Sequence, residues 1–103
     1  MARYVKVAKL DDLPPGSCRE FQADGKPVAL FNVNGTVFAL DNTCLHRGGP
    51  LGQGVLEENI VTCPWHGWQY DVKSGAVVMN PDIKVRKFAV KVEGDDIQVD
   101  VES

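Results

Sequence analysis

Cysteine and histidine are both scarce in this chain: 103 residues hold three of the first and two of the second. Three cysteines, an odd and sparse set, do not make a disulfide scaffold. No continuous apolar run is long enough to suggest a membrane span. The opening, Met1-Ala2-Arg3-Tyr4-Val5-Lys6-Val7, alternates polar and apolar residues and predicts neither a signal peptide nor an anchor. Charge is equally unassertive. Eleven Lys and Arg against fourteen Asp and Glu leave a net charge of -3 with no block of one sign, so the electrostatic footprint of a nucleic-acid binder is missing. No repeat, low-complexity tract, linker or long helical period is visible. A length of 103 residues predicts one domain, 1–103, with a core sufficient to fold alone and no room for a second catalytic domain. A cytoplasmic monomer is the expected setting, with Cys18 an unpaired thiol in a reducing compartment.

What is present reads as β-structure. Period-2 alternation runs through Arg3 to Ala8, Ser17 to Gln22, Val28 to Phe31, Thr36 to Leu40 and Lys84 to Val92, all rich in Val, Ile and Phe. Asp24-Gly25, Asn34-Gly35, Ser74-Gly75 and Gly94-Asp95 lie between such runs and supply positive backbone angles cheaply, which predicts hairpins. Asp11-Asp12-Leu13-Pro14-Pro15-Gly16 predicts a single helical turn ended by its prolines. The expected fold class is all-β, antiparallel, a sandwich or partly open barrel.

The scarce residues are not scattered. Two cysteines and both histidines fall in Cys44-Leu45-His46-Arg47-Gly48 and Cys63-Pro64-Trp65-His66-Gly67. Thiolate and imidazole bind soft and borderline transition metals, and two such pairs can converge from two hairpin ends of one domain. A Cys2His2 set also suits tetrahedral zinc in an interaction module. Zinc fingers, however, pair cysteine with cysteine and histidine with histidine, whereas each stretch here carries one of each. Mixed pairs suit a centre of two metals, each loop giving a thiolate to one and an imidazole to the other.

With C-x-H, a spacer, and C-x-x-H followed by glycine, the chain resembles the Rieske family, and the resemblance covers most of its length. It implies stacked antiparallel sheets with a small cluster-binding subdomain over roughly residues 41–82. One 2Fe-2S cluster is implied, with Cys44 and Cys63 on one iron and His46 and His66 on the other. The histidine side is where the electron would settle and leave.

The resemblance also implies roles for the neighbours of these ligands, each with a plainer reading beside it. Gly48-Gly49-Pro50-Leu51-Gly52-Gln53-Gly54 would bring backbone N–H groups to the sulfides, or be a flexible loop. Pro81, in Val78-Met79-Asn80-Pro81-Asp82, falls where the family places a proline loop over the cluster, but Asn-Pro is also an ordinary turn pair. Trp65, Trp68 and Tyr70 around His66 and Gly67 would pack as core. Tyr70 also matches a tyrosine whose hydroxyl bonds a cysteine ligand sulfur in respiratory members. Arg47 is either a solvated side chain or a cation that steers an acidic partner.

Two departures place the chain within the family. Respiratory members bridge their loops with two further cysteines, where this sequence has Gly49 and Trp65, and they carry a serine donor where Trp68 stands. The resemblance is therefore to soluble ferredoxins of bacterial ring-hydroxylating dioxygenases. It implies a one-electron carrier, not an enzyme, between a flavin-dependent reductase and a terminal oxygenase. It also implies a potential in the lower part of the family range of about -150 to +300 mV. Oxygenase subunits of such systems need a further iron held by histidines, and none is left over. A second resemblance, to small subunits of NAD(P)H-dependent nitrite reductases, keeps the fold and replaces the partner by a nitrite reductase large subunit.

Overall fold

The computed structural model describes residues 3–43, 49–65 and 67–102, and in these ten strands form three antiparallel sheets. The strands are β1 (Tyr4–Lys9), β2 (Cys18–Ala23), β3 (Lys26–Val33), β4 (Thr36–Asp41), β5 (Val55–Glu57), β6 (Ile60–Thr62), β7 (Gln69–Asp71), β8 (Lys87–Phe88), β9 (Val90–Glu93) and β10 (Asp96–Asp100). The central sheet has the order β2-β3-β4-β8, an outer sheet the order β1-β10-β9, and the third the order β5-β6-β7. Single 3-10 turns at Leu10–Asp12 and Leu51–Gln53 complete the secondary structure of these residues.

The central meander follows from its turn residues. Asp24 and Gly25 have φ of 54° and 79°, and Asn34 and Gly35 have φ of 51° and 96°. Two consecutive left-handed residues match the twist of the strands they join, and Asp-Gly and Asn-Gly reach that conformation at least cost. Registers then run without a break, from Cys18 opposite Phe31 to Ala23 opposite Lys26, and from Val28 opposite Asp41 to Val33 opposite Thr36.

β3 is buried on both faces. Val28 and Leu30, with Val37 and Ala39 of β4, point into a core shared with Ile97 and Val99 of β10. Ala29 and Phe31, with Leu40, point the other way, into a second core with Leu51, Val61, Cys63, Tyr70, Val72, Val77 and Val85. The alternating pattern is thus divided between two cores, and the central sheet is the wall between them.

One expected strand divides. The run from Lys84 to Val92 is two strands in different sheets: Lys87 and Phe88 pair with β4, while β9 pairs with β10. Its period is unbroken in sequence, but the chain passes from the central to the outer sheet at Ala89, whose carbonyl accepts from Asp100 N–H at 2.9 Å. None of the described helices is long and apolar enough to cross a membrane.

Candidate metal centre

Of the four expected ligands, Cys63 lies among the described residues; Cys44, His46 and His66 lie outside them, as do Arg47 and Gly48. Cys63 follows β6, and β7 begins at Gln69, so residues 63–68 connect two paired strands. The Cys63 N–H donates to Trp68 C=O at 2.7 Å, which closes this connection into a loop. The Cys63 side chain is 1% exposed and belongs to the second core. Gly67, with φ of 73° and open space around its Cα, supplies the left-handed residue of the loop.

The first stretch lies outside the described residues; β4 of the central sheet runs up to it, and the Leu51–Gln53 turn beyond it leads to β5 of the third sheet. A bridge between Thr43 and Pro50 draws the two sides of the stretch together. Asn42 reinforces this neck: its carbonyl accepts from Leu51 N–H at 2.8 Å and its Oδ1 from Gly52 N–H at 2.7 Å.

Gly49 joins the two stretches. A Cβ placed on it would lie 3.0 Å from Cys63 Sγ and 2.9 Å from Trp65 Cγ, so only a hydrogen fits between the end of the first stretch and the Cys63 thiol. Trp65 lies over Gly49 and remains 49% exposed. A buried cysteine at a loop end, approached by the residue that follows the other stretch, suits a thiolate-bound metal group by its chemistry, and the expected donor set is that of such a group.

The glycine-rich segment is correspondingly reassigned in part. Gly52 lies directly on the β2 backbone and Gly54 on the Thr62 carbonyl. Their N–H groups go to Asn42 Oδ1 and Leu51 C=O, which removes both from the expected set of sulfide donors. Close protein packing accounts for these two glycines. Cys18, which forms no disulfide, donates its S–H to Gly54 C=O at 3.4 Å, and burial pushes its thiol pKa up.

Among the expected neighbours, Tyr70 is fully buried in the core that holds Cys63, and Trp68 packs half-buried against it. The Cys44 sulfur expected to accept from Tyr70 lies outside the described residues. Pro81 is exposed in a turn closed by Ile83 N–H to Asn80 C=O at 3.0 Å, and shares a surface hollow with Ile60, Asp71 and Val78. Beside it Met79 and Val78 are exposed, at 78% and 45%. Asn42, Glu20 and Gln53, which tie down the neck of the first stretch, escaped the sequence reading.

Comparison with known proteins agrees with the fold and with a 2Fe-2S cofactor. The Rieske 2Fe-2S domain family matches residues 3–93, and the chain belongs to that family, whose cofactor is a 2Fe-2S cluster. It is 37% identical over 99 residues to the ferredoxin component of biphenyl 2,3-dioxygenase from Rhodococcus jostii, a match covering 95% of this chain and 92% of the relative. The ferredoxin of carbazole 1,9a-dioxygenase from Nocardioides aromaticivorans superimposes with a TM-score of 0.87 at 34% identity, covering 94% and 96% of the two chains. A solved complex of reduced oxygenase and oxidised ferredoxin in carbazole 1,9a-dioxygenase contains a chain matched with a TM-score of 0.85 at 28% identity, with 94% and 92% coverage.

Proposed function

We propose that this chain is the ferredoxin component of a ring-hydroxylating dioxygenase system, passing single electrons from a flavin-dependent reductase to a terminal oxygenase. The observation that carries this reading is the nearly end-to-end match with the biphenyl 2,3-dioxygenase ferredoxin. The composition agrees: the two histidines are both taken by the Rieske ligand pattern, leaving no imidazole for a separate oxygen-activating iron. The chain is an electron carrier, not the enzyme.

Cys44 and Cys63 bind as thiolates and His46 and His66 as neutral imidazoles, within a subdomain of roughly residues 41–82. The 2Fe-2S cluster, when bound, supplies one reversible electron. The residues decide how easily it is accepted and where it is handed on. The buried thiolate of Cys63 contributes negative charge away from solvent, which disfavours further reduction, and a Tyr70 hydroxyl donating to the Cys44 sulfur opposes that. Gly48, Trp65, Gly67, Trp68 and Pro81 shape the surroundings of the ligands. Arg47, beside His46, steers an acidic partner into a small, transient complex. The setting is a cytoplasmic monomer.

Anaerobic mixing of the dithionite-reduced protein with a purified, oxidised ring-hydroxylating oxygenase tests this. On admission of oxygen and an aromatic substrate, the mixture should form hydroxylated product that the oxygenase alone, without the reduced protein, does not form. A colourless, zinc-containing protein, or one that is recovered with and reduces only a nitrite reductase large subunit, would overturn it.

A further inference from the structure

The neck of the first ligand stretch rests on a side chain that lies 24 residues earlier in the sequence. Asn42, 8% exposed, uses all four of its polar groups there. Its N–H donates to Pro27 C=O at 3.2 Å, its C=O accepts from Leu51 N–H at 2.8 Å, and its Oδ1 accepts from Gly52 N–H at 2.7 Å. Its Nδ2 donates to Glu20 Oε2 at 2.8 Å. The other carboxylate oxygen, Oε1, accepts from Gln53 Nε2 at 2.7 Å. One carboxylate on β2 thus holds a residue before segment 44–48 and a residue after it. The hydrogen bonds from Gln53 and, second, from Asn42 keep this carboxyl below the ordinary glutamate range. The Glu20 backbone is also the floor on which Gly52 lies.

We infer that Glu20 is a positioning residue for the cluster: by holding Asn42 and Gln53 it sets the spacing of the two ends of segment 44–48, and so the placement of Cys44 and His46. The inference rests on the assignment of those two residues as ligands. Its logic lies in the donor and acceptor count. Gly52 N–H requires an oxygen from Asn42, so the amide nitrogen of Asn42 must face outward, and Glu20 is the acceptor waiting for it. With alanine at position 20 the amide loses that restraint and is free to turn, releasing Gly52 as well. Glutamine restores the bridge. Its Oε1 accepts from Asn42, and its amide nitrogen donates to Gln53, whose own amide turns to offer oxygen.

The pair of variants therefore separates geometry from charge. Both Glu20→Ala and Glu20→Gln remove one negative charge, but only the first removes the bridge. Holo-proteins carrying Glu20→Ala, Glu20→Gln or Gln53→Ala would be compared with wild type by electron paramagnetic resonance of the reduced state and by the rate of bleaching in a chelator. Glu20→Gln should superimpose on wild type. Glu20→Ala should shift the g values and bleach about fivefold faster, the factor a net hydrogen bond is worth. Gln53→Ala should move the same way by less. Wild-type behaviour of Glu20→Ala would overturn the inference, as would Glu20→Gln moving as far as Glu20→Ala. If Glu20→Ala does not fold, an unaltered Gln53→Ala overturns it. A wild-type protein without a Rieske signal would refute the ligand assignment itself, and this inference with it; the variants, compared with a wild type that has the signal, judge Glu20 alone.

Discussion

Gly52→Ala places one methyl group where three backbone atoms already stand. The new Cβ would meet Glu20 N at 2.6 Å, Arg19 C at 2.8 Å and Glu20 Cα at 2.8 Å, while ordinary contact begins at 3.4 Å. One side must retreat by more than half an ångström, and neither does so freely. Arg19 and Glu20 are held in β2 by pairing with Leu30 and Ala29. The Leu51–Gln53 turn is held by the two hydrogen bonds to Asn42. Overpacking of this kind costs about 1–3 kcal/mol, and a hydrogen bond broken in relief about 1 kcal/mol more. Alanine recovers roughly 0.4–1 kcal/mol by narrowing the unfolded ensemble. The net loss, about 2 kcal/mol, corresponds to a fall of about 10 °C in the apparent Tm of a domain this size. Gly25→Ala is the control: its φ of 79° strains a side chain, but nothing lies within 4 Å, so the cost is conformational alone, about 1–2 kcal/mol. Scanning calorimetry of the holo-proteins, with visible absorbance followed in parallel, reads both. Gly52→Ala should melt lower than Gly25→Ala and lose colour first. A Gly52→Ala Tm at or above that of Gly25→Ala would refute the claim that backbone contact, and not backbone freedom, requires this glycine.

Replacing His46 or His66 by alanine, or Cys63 by serine, should abolish the Rieske-type paramagnetic signal, whereas Cys18→Ser should keep it; the reverse pattern would dismiss the ligand assignment. Tyr70→Phe should lower the midpoint potential by roughly 40 mV, the equivalent of one net hydrogen bond of about 1 kcal/mol to a ligand sulfur in a one-electron couple. An unchanged voltammogram would take Tyr70 out of the account. The Asp100 carboxyl is held below its ordinary range first by the Arg3 N–H and then by the Glu102 N–H, both donating to Oδ1 at 2.9 Å. Because the folded-state pKa is depressed, its stabilisation is complete above the ordinary value of about 4 and disappears as pH falls through the lowered one. The gap in urea midpoint between wild type and Asp100→Asn should therefore be constant well above about pH 4 and shrink progressively as pH falls below it, and a gap that stays constant or widens on acidification would contradict this.

The central meander was legible because local chemistry and global position agree there: Asp-Gly and Asn-Gly turns flank runs whose every second residue enters a core. β5, β6 and β7 were not, since three residues are too few to show a period and the turn between β5 and β6 places Glu58 at φ 54°, a conformation glutamate seldom adopts. β10 was given no range, although the Gly94-Asp95 hairpin called for a strand beyond it, and that hairpin is the one joining β9 to β10. At the two Cys-His stretches, residue type and spacing pointed to a set of donors, and the family resemblance named the cofactor, which the family match bears out. The supporting shell was hidden for a physical reason. Glu20 meets Asn42 and Gln53 only after β2 and β4 have been brought into one sheet around β3, and no local pattern encodes that meeting. The glycines at 52 and 54 were visible, but their neighbours in space were not.

The placement of β3 has a consequence for how the molecule breathes. Its amides between Val28 and Phe31 lie behind one core on each face and between β2 and β4 on its two edges. Fraying of the outer sheet leaves the second core over them, and loss of the metal group with loosening of the β5-β6-β7 layer leaves the first. Solvent reaches these four peptide groups only when both layers have gone, so their deuterium uptake follows global unfolding and not any local opening. The layer bearing Cys63 has no such second cover. Rebuilding a cluster after its loss thus requires this chain to re-form one layer against a wall that has stayed in place.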